Sequence, residues 1–250
     1  MKPCIFCGRR ADSREHVIAK RLSRRLGILD EEVTVGAVTE TDGFSRRSKC
    51  PIVNYQCRAV CRHCNNGWMN DLEAWIDDSF GHLFEPTWPP MSPDIVQGFA
   101  GQMGNLCRWM TKTAALTEAS GILNKAVVPQ SLLRELLAKT QWTDFNVLIG
   151  FIAERNLDFR LEKGFRTWNG GKLHLNQEHR DGFSFAVQLN HVALRLIVCP
   201  GAEVVFTKFR THSGEAIPFF ATKGEAAFLS AASHTYPDMN SFYSRAEVMA

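Results

Sequence analysis

Two short spacings in the chain carry chemistry. Cys4-Ile-Phe-Cys7 and Cys61-Arg-His-Cys64 each separate a pair of thiols by two residues. That gap lets both thiolates face one tetrahedral ion while amides of the tight turn donate to the sulfurs, and Gly8 suits such a turn. Two knuckles in a reducing compartment predict structural Zn2+ on Cys4, Cys7, Cys61 and Cys64. The 53 residues between the knuckles would then be anchored at both ends by the metal, which offsets the entropy of closing so long a loop. A thiol-redox pair is the rival for either knuckle, and any of these thiols could instead be a small buried apolar group. Cys50 and Cys57 lack knuckle spacing and are expected to be buried or incidental, serving as substitutes should a ligand assignment fail. Cys107 and Cys199 fall in apolar runs and are expected in the core.

Between the knuckles lies Ser13-Arg14-Glu15-His16-Val17-Ile18, and Asn65-Asn66-Gly67-Trp68 follows the second one. The order C-x2-C, acid-His, C-x2-C-Asn resembles the HNH endonucleases of the His-Me finger (ββα-metal) superfamily, and within it the zinc-stabilised branch that includes phage junction resolvases of the endonuclease VII type. The resemblance covers about residues 4–73 and rests on the combination, since an acid-His pair alone is common. It implies a ββα-metal module with His16 as general base, Glu15 as the metal-binding acid and Asn65 as an amide ligand opening the metal-site helix. One Mg2+ or Mn2+ would bridge the phosphate and the leaving 3′-oxygen, giving 5′-phosphate ends.

Elementary chemistry supports such a division of labour. Phosphodiester hydrolysis needs an activated water, a cation on the phosphate and relief of charge on the leaving oxygen. A neutral imidazole is the best side-chain base near neutral pH, while a carboxylate and an amide oxygen are hard ligands suited to Mg2+. Adjacent positions 15 and 16 on an extended segment point to opposite sides, so Glu15 would reach the ion while His16 addresses the water. The chain departs from the family pattern in two places. Its acid is Glu15 where Asp is the commoner residue, and no histidine occurs between His63 and His82. Asn70 and Glu73 are the candidates for the missing third ligand.

Each residue also has a plainer reading. His16 alone would be a satisfied surface or core histidine, Asn65 and Asn66 a helix N-cap, His63 an alternative zinc ligand, and Trp68 core packing. Lys20-Arg21-Leu22-Ser23-Arg24-Arg25 sits on an amphipathic turn with Leu22 and Leu26 inward. Lys20, Arg21, Arg24 and Arg25, joined by Arg46 and Arg47 from the long insertion, are candidates for phosphate contact, against the alternative of a solvated face.

These residues need elements to position them. A helix over 66–84 places Trp68, Leu72, Ile76, Phe80 and Leu83 on one apolar face, with Asn66, Asn70 and Glu73 sharing a polar side. Four prolines in residues 85–93 predict a stiff connector, dividing the chain into a zinc-stabilised domain, 1–84, and a second domain of unknown role, 94–250. In the latter, the stretch from about 94 to 137 reads as helical from recurrence at three and four, within which Pro129 opens a second helix over 130–139. The runs 145–153, 157–162, 183–188, 193–198 and 204–209 read as short antiparallel strands, followed by a helix at 225–232. The expected class is α+β: a small ββα-metal module, a helical segment and an antiparallel sheet.

Composition bounds the rest. The chain has 250 residues, 45% hydrophobic and 22% charged, values of an ordinary globular protein that exclude wholesale disorder. No apolar run reaches spanning length and no secretory h-region opens the chain, so a cytoplasmic protein without membrane partners is expected. Residues 1–70 hold 13 Lys and Arg against 7 Asp and Glu, a net of +6, whereas residues 71–250 net −3. A polyanion partner is therefore expected for the first third only. The sequence-level expectation is a metal-dependent endonuclease acting on nucleic acid, DNA in the first instance, with residues 94–250 serving a homodimer, a protein partner or target choice. The alternative is a non-catalytic zinc-binding module for nucleic acid or protein.

Overall fold

The computed structural model describes residues 2–37, 46–87, 103–121, 126–138, 145–163, 166–169, 172–175, 182–198, 219–221, 235–236, 238–239 and 248–249. The first knuckle closes where Cys4 N–H donates to the Arg9 carbonyl at 2.5 Å and Gly8 N–H to the Cys4 carbonyl at 2.9 Å. Gly8 carries φ +76° there, a left-handed conformation that glycine adopts without steric cost. Strand β1, Ser13–His16, runs antiparallel to β4, Gln56–Val60, with Glu15 opposite Cys57 and His16 opposite Gln56. Helix α1, Lys20–Arg25, follows β1 and buries Leu22, with Leu26 at its C-cap also buried.

The second knuckle starts a continuous helical run with a break in it. Helix α2, Arg62–Cys64, leads into a π-type turn over Asn65–Met69, where Gly67 leaves helical geometry (φ −100°, ψ −120°). Helix α3 spans Asn70–Phe80 and passes into a 3-10 turn, Gly81–Phe84. Leu72, Ile76, Phe80 and Leu83 are buried as their spacing predicts, and Trp68 is half-buried with its ring edge-to-face on Phe6 at 5.1 Å. One aromatic contact thus joins the two knuckles.

Strands β2, Glu32–Ala37, and β3, Arg46–Pro51, form an antiparallel pair inside the long insertion. Helices α4, Met103–Ala119, and α5, Gln130–Ala138, precede two long strands, β5, Phe145–Lys163, and β8, Phe183–Val198. Between them β6, Arg166–Asn169, and β7, Lys172–Leu175, form a hairpin that β11, Val248–Met249, joins in parallel. Strands β9, Phe219–Ala221, and β10, Thr235–Tyr236, also pair with β5.

Two expectations change here. The four short strands expected over 145–198 are two continuous ones. Glu154-Arg155-Asn156 is not a turn but a register shift within β5, and it faces Asn190, whose φ is +55°. The sheet is also mixed rather than antiparallel, because β2 and β10 pair with β5 in parallel while β8 and β9 run antiparallel to it. The pairing of Thr34–Ala37 with Asp158–Leu161 carries the sheet across the expected boundary at 85–93, and one hydrophobic core extends from Cys4 to Val198. Described residues on both sides of 85–93 thus share that core. Most of the proline run and the runs 204–209 and 225–232 lie outside the described residues, as do 94–102 of the first expected helix. The architecture is mixed α+β, and among the described residues no helix is long and apolar enough to cross a membrane.

Candidate metal centre and the cleft beside it

The sulfurs of Cys4, Cys7, Cys61 and Cys64 all lie within 4.8 Å of one another, and Cys7 Sγ is 3.4 Å from Cys61 Sγ. A tetrahedral site with Zn–S near 2.3 Å has sulfur separations of about 3.8 Å, so the set matches a structural zinc in donor type, number and spacing. All four are free thiols, and Cys64 N–H donates to Cys61 Sγ at 3.5 Å, the amide-to-sulfur contact that knuckles use. Among the described residues this is the one cluster of three or more His, Cys, Asp or Glu groups that could hold a metal ion. His63 is exposed and outside it.

Closure of this cluster brings Asn65 onto β1. Its Nδ2 donates to Ser13 Oγ at 3.2 Å and to the Arg14 carbonyl at 3.4 Å, and its side chain also bonds Glu15. Glu15 is 9% exposed. Burial pushes its carboxyl above the ordinary carboxylate range, while the charge of Lys112 and the Asn65 bond pull it back. Lys112 comes from α4, is fully buried, and pairs with Glu73 Oε1 of α3. Burial pushes its ammonium down to about 8, with Glu15 and Cys57 acting in the other direction. Glu15, Glu73, Lys112 and Cys57 thus share one buried polar pocket under the β1–β4 pair.

His16 turns to the other face of β1, as strand alternation requires. The Gln56 side-chain amide donates to His16 Nε2 at 2.8 Å and to the Val53 carbonyl at 2.9 Å. Because the amide nitrogen only donates, Nε2 is an acceptor, the state of a neutral imidazole. Burial and then the Lys20 charge hold the His16 pKa below its ordinary value, against a bond to the Val53 carbonyl. The structure brings Glu15 and Asn65 together and sets His16 beside them on the strand, facing away.

The remaining candidates divide. Asn70 is exposed on α3, and Glu73, expected on the polar side with Asn66 and Asn70, is buried and bonded to Lys112. The kink at Gly67 lies between Asn66 and α3, so the polar side drawn for an unbroken helix does not hold across it. Arg21 and Arg25 are tied to their own chain: Arg21 to Asp77 at 2.5 Å and Asp78 at 3.1 Å, Arg25 to Asp77 at 3.3 Å and to the Asp77 carbonyl at 3.0 Å. Arg25 crosses so close to Gly81 that a Cβ there would meet its guanidinium at 2.9 Å. Lys20 and Arg24 stay exposed. Arg46 and Arg47 are described by their β3 backbone alone, and their side chains lie outside the described residues.

Sequence reasoning missed Lys112, Ser13 and Gln56. Nothing local marks Lys112, which stands between Thr111 and Thr113 as an exposed lysine would. No family model, no characterised protein and no solved structure matches the chain.

Proposed function

We propose that the protein is a metal-dependent endonuclease of the HNH type, hydrolysing phosphodiester bonds in nucleic acid, with DNA the first substrate to test. The observation that carries this reading is the hydrogen bonding of Asn65 Nδ2 to Ser13 and Arg14 of β1, beside Glu15, at the start of the helical run that follows the second pair of clustered cysteines. It brings a carboxylate and a carboxamide from positions 50 apart in the chain to one place, with the amide N–H turned to β1.

The donor set fits a divalent cation. With both acids ionised, Glu15, Glu73 and Lys112 sum to a formal −1 in a buried place, a charge that either a proton on Glu15 or a bound cation would neutralise. Glu15 and the Asn65 amide oxygen would hold Mg2+ or Mn2+, which supplies charge stabilisation to the phosphate and leaving oxygen. His16, neutral and with its lone pair on Nε2, takes the proton from water. In this reading Gln56 holds that lone pair at rest and yields it to the water. Exposed Lys20 and Arg24 contact the flanking phosphates, whereas Arg21 and Arg25 brace α1 against α3. Zinc on Cys4, Cys7, Cys61 and Cys64 is structural and takes no part in the chemistry.

The orientation of His16 favours a second reading, a non-catalytic zinc module that binds nucleic acid or protein, because its ring points away from the Glu15 pocket. Plasmid nicking with added Mg2+ or Mn2+ separates the two. Wild type should nick, and His16→Ala should lose about 10²-fold or more in rate while binding DNA as before. A His16→Ala protein that cuts at the wild-type rate would exclude His16 as the base; a wild type that binds DNA without cutting any DNA or RNA form favours the second reading.

A further inference from the structure

The buried trio of Glu15, Glu73 and Lys112 carries more than the proposed reaction uses. Lys112 is fully buried, comes from α4, pairs with Glu73 Oε1 and acts electrostatically on Glu15. Glu73 is itself 7% exposed, yet its Oε2 has no hydrogen-bond partner among the described residues. One buried ammonium is therefore paired with Glu73 and close enough to act on Glu15, and Glu73 Oε2 has no donor among the described residues. A buried acceptor without a donor is costly and marks a place that a further donor or a cation would satisfy.

We infer that Lys112 is a built-in competitor for the divalent cation at Glu15, its ammonium, paired with Glu73, supplying the nearby positive charge that an ion would otherwise supply. Glu73 on this account is the anchor of Lys112 and not the third ligand. The ammonium limits how tightly Glu15 and its surroundings take Mg2+ or Mn2+. Removing it leaves two buried carboxylates without their cation and so favours a hard divalent ion. Hard Mn2+ leaves the four-thiolate cluster to zinc, since soft sulfur ligands select against it. The inference rests on Glu15 being open to a cation, as the nuclease reading also requires, and its test reads ion binding rather than cleavage.

Mn2+ binding to the zinc-loaded full chain is measured by the electron paramagnetic resonance signal of free Mn2+, for wild type, Lys112→Met, Lys112→Arg and the double variant Lys112→Met/Glu73→Gln. Lys112→Met should bind Mn2+ about tenfold tighter or more, the scale of one lost charge repulsion at close range. Lys112→Arg should stay near wild type, and the double variant should fall back toward it. Lys112→Met binding no tighter than wild type, or Lys112→Arg matching Lys112→Met, would overturn the inference. Should Lys112→Met be too unstable to titrate, its melting temperature is read with and without Mn2+. Recovery toward wild type supports the competing-cation role, and a melt that Mn2+ leaves unchanged refutes it. Nicking by the same proteins keeps the two ideas apart. Tighter Mn2+ with no cleavage in any protein removes the nuclease and keeps the competitor; cleavage with unaltered Mn2+ affinity does the reverse.

Discussion

Glu15 and His16 are neighbours in sequence whose surroundings push their proton affinities apart. Burial raises the Glu15 pKa from 4.5 and lowers that of His16 from 6.5. For Glu15 the folded state binds the proton more readily, so its contribution to stability is present below 4.5 and lost as pH rises through the folded pKa. For His16 the sign reverses: its contribution is present above 6.5 and lost as pH falls through the lower folded value. Both groups act deprotonated in the proposed chemistry, so cleavage should fall on the acid side only, with the His16-linked limb below pH 6.5. Lys20→Ala removes a charge that depresses His16, and the His16 Cε1–H NMR titration should move upward; a midpoint that stays put would break the link. Much of this was legible in the sequence, because zinc closure requires Asn65 to sit beside residues 13–16. Lys112 was not, since nothing local in α4 announces that Glu73 and Glu15 will meet it from two other elements.

At the scale of elements, α1 and α3 are tied by charge, while Leu22 and Ile76 both enter the common core. Asp77 is 8% exposed and receives both Arg21 and Arg25, and Arg25 also reaches the Asp77 carbonyl in the last turn of α3, where a cation is favoured. Arg21 is 57% exposed, so solvent screens its share. Asp77→Ala should cost about 1–2 kcal/mol, because it removes the acceptor of two part-buried ionic hydrogen bonds that solvent partly screens, measured by urea unfolding. Arg24→Ala should change stability by no more than about 0.5 kcal/mol but flatten the salt dependence of DNA binding by about one unit of slope. The reverse pattern would make Arg24 a structural residue and return α1 to a braced but otherwise idle helix. The basic run advertised all four cations alike. Only the approach of α3 decides which of them are occupied, and that is a tertiary fact. The α3 face at Leu72, Ile76, Phe80 and Leu83 was legible because a period of 3.6 survives in the residues themselves.

Across the whole molecule, the four-cysteine cluster and the sheet both fasten one core. Asn190 ties the sheet to the segments that follow α1 and α3: its Nδ2 donates to the Leu26 carbonyl at 3.1 Å and the Phe84 carbonyl at 2.5 Å, while its Oδ1 accepts from Arg155 at 2.7 Å. The purified protein should carry one Zn2+ per chain. Cys64→Ser should lower the unfolding midpoint and loosen the Asn65–Glu15 contact, read as weaker Mn2+ binding. A metal-free protein that melts like wild type would remove zinc from the account. Strands β5 and β8 were legible as short runs rich in Phe, Val, Ile and Leu. Their continuity was not, because Glu154-Arg155-Asn156 and Asn190 have turn chemistry and are used instead as a paired irregularity inside two long strands. Nor did the proline run reveal that β2 would pair beyond it.

That parallel pairing of β2 with β5 has a consequence for how the chain is made. Cys64, the last thiol of the cluster, precedes Asp158, the β5 residue opposite Thr34, by 94 positions. At ~5–20 residues per second the ribosome needs roughly 5–20 s to cover that interval. During it, a nascent chain already holds all four clustered thiols while β2 still offers a bare strand edge to whatever lies nearby. Birth order thus separates completion of the cysteine set from completion of the sheet.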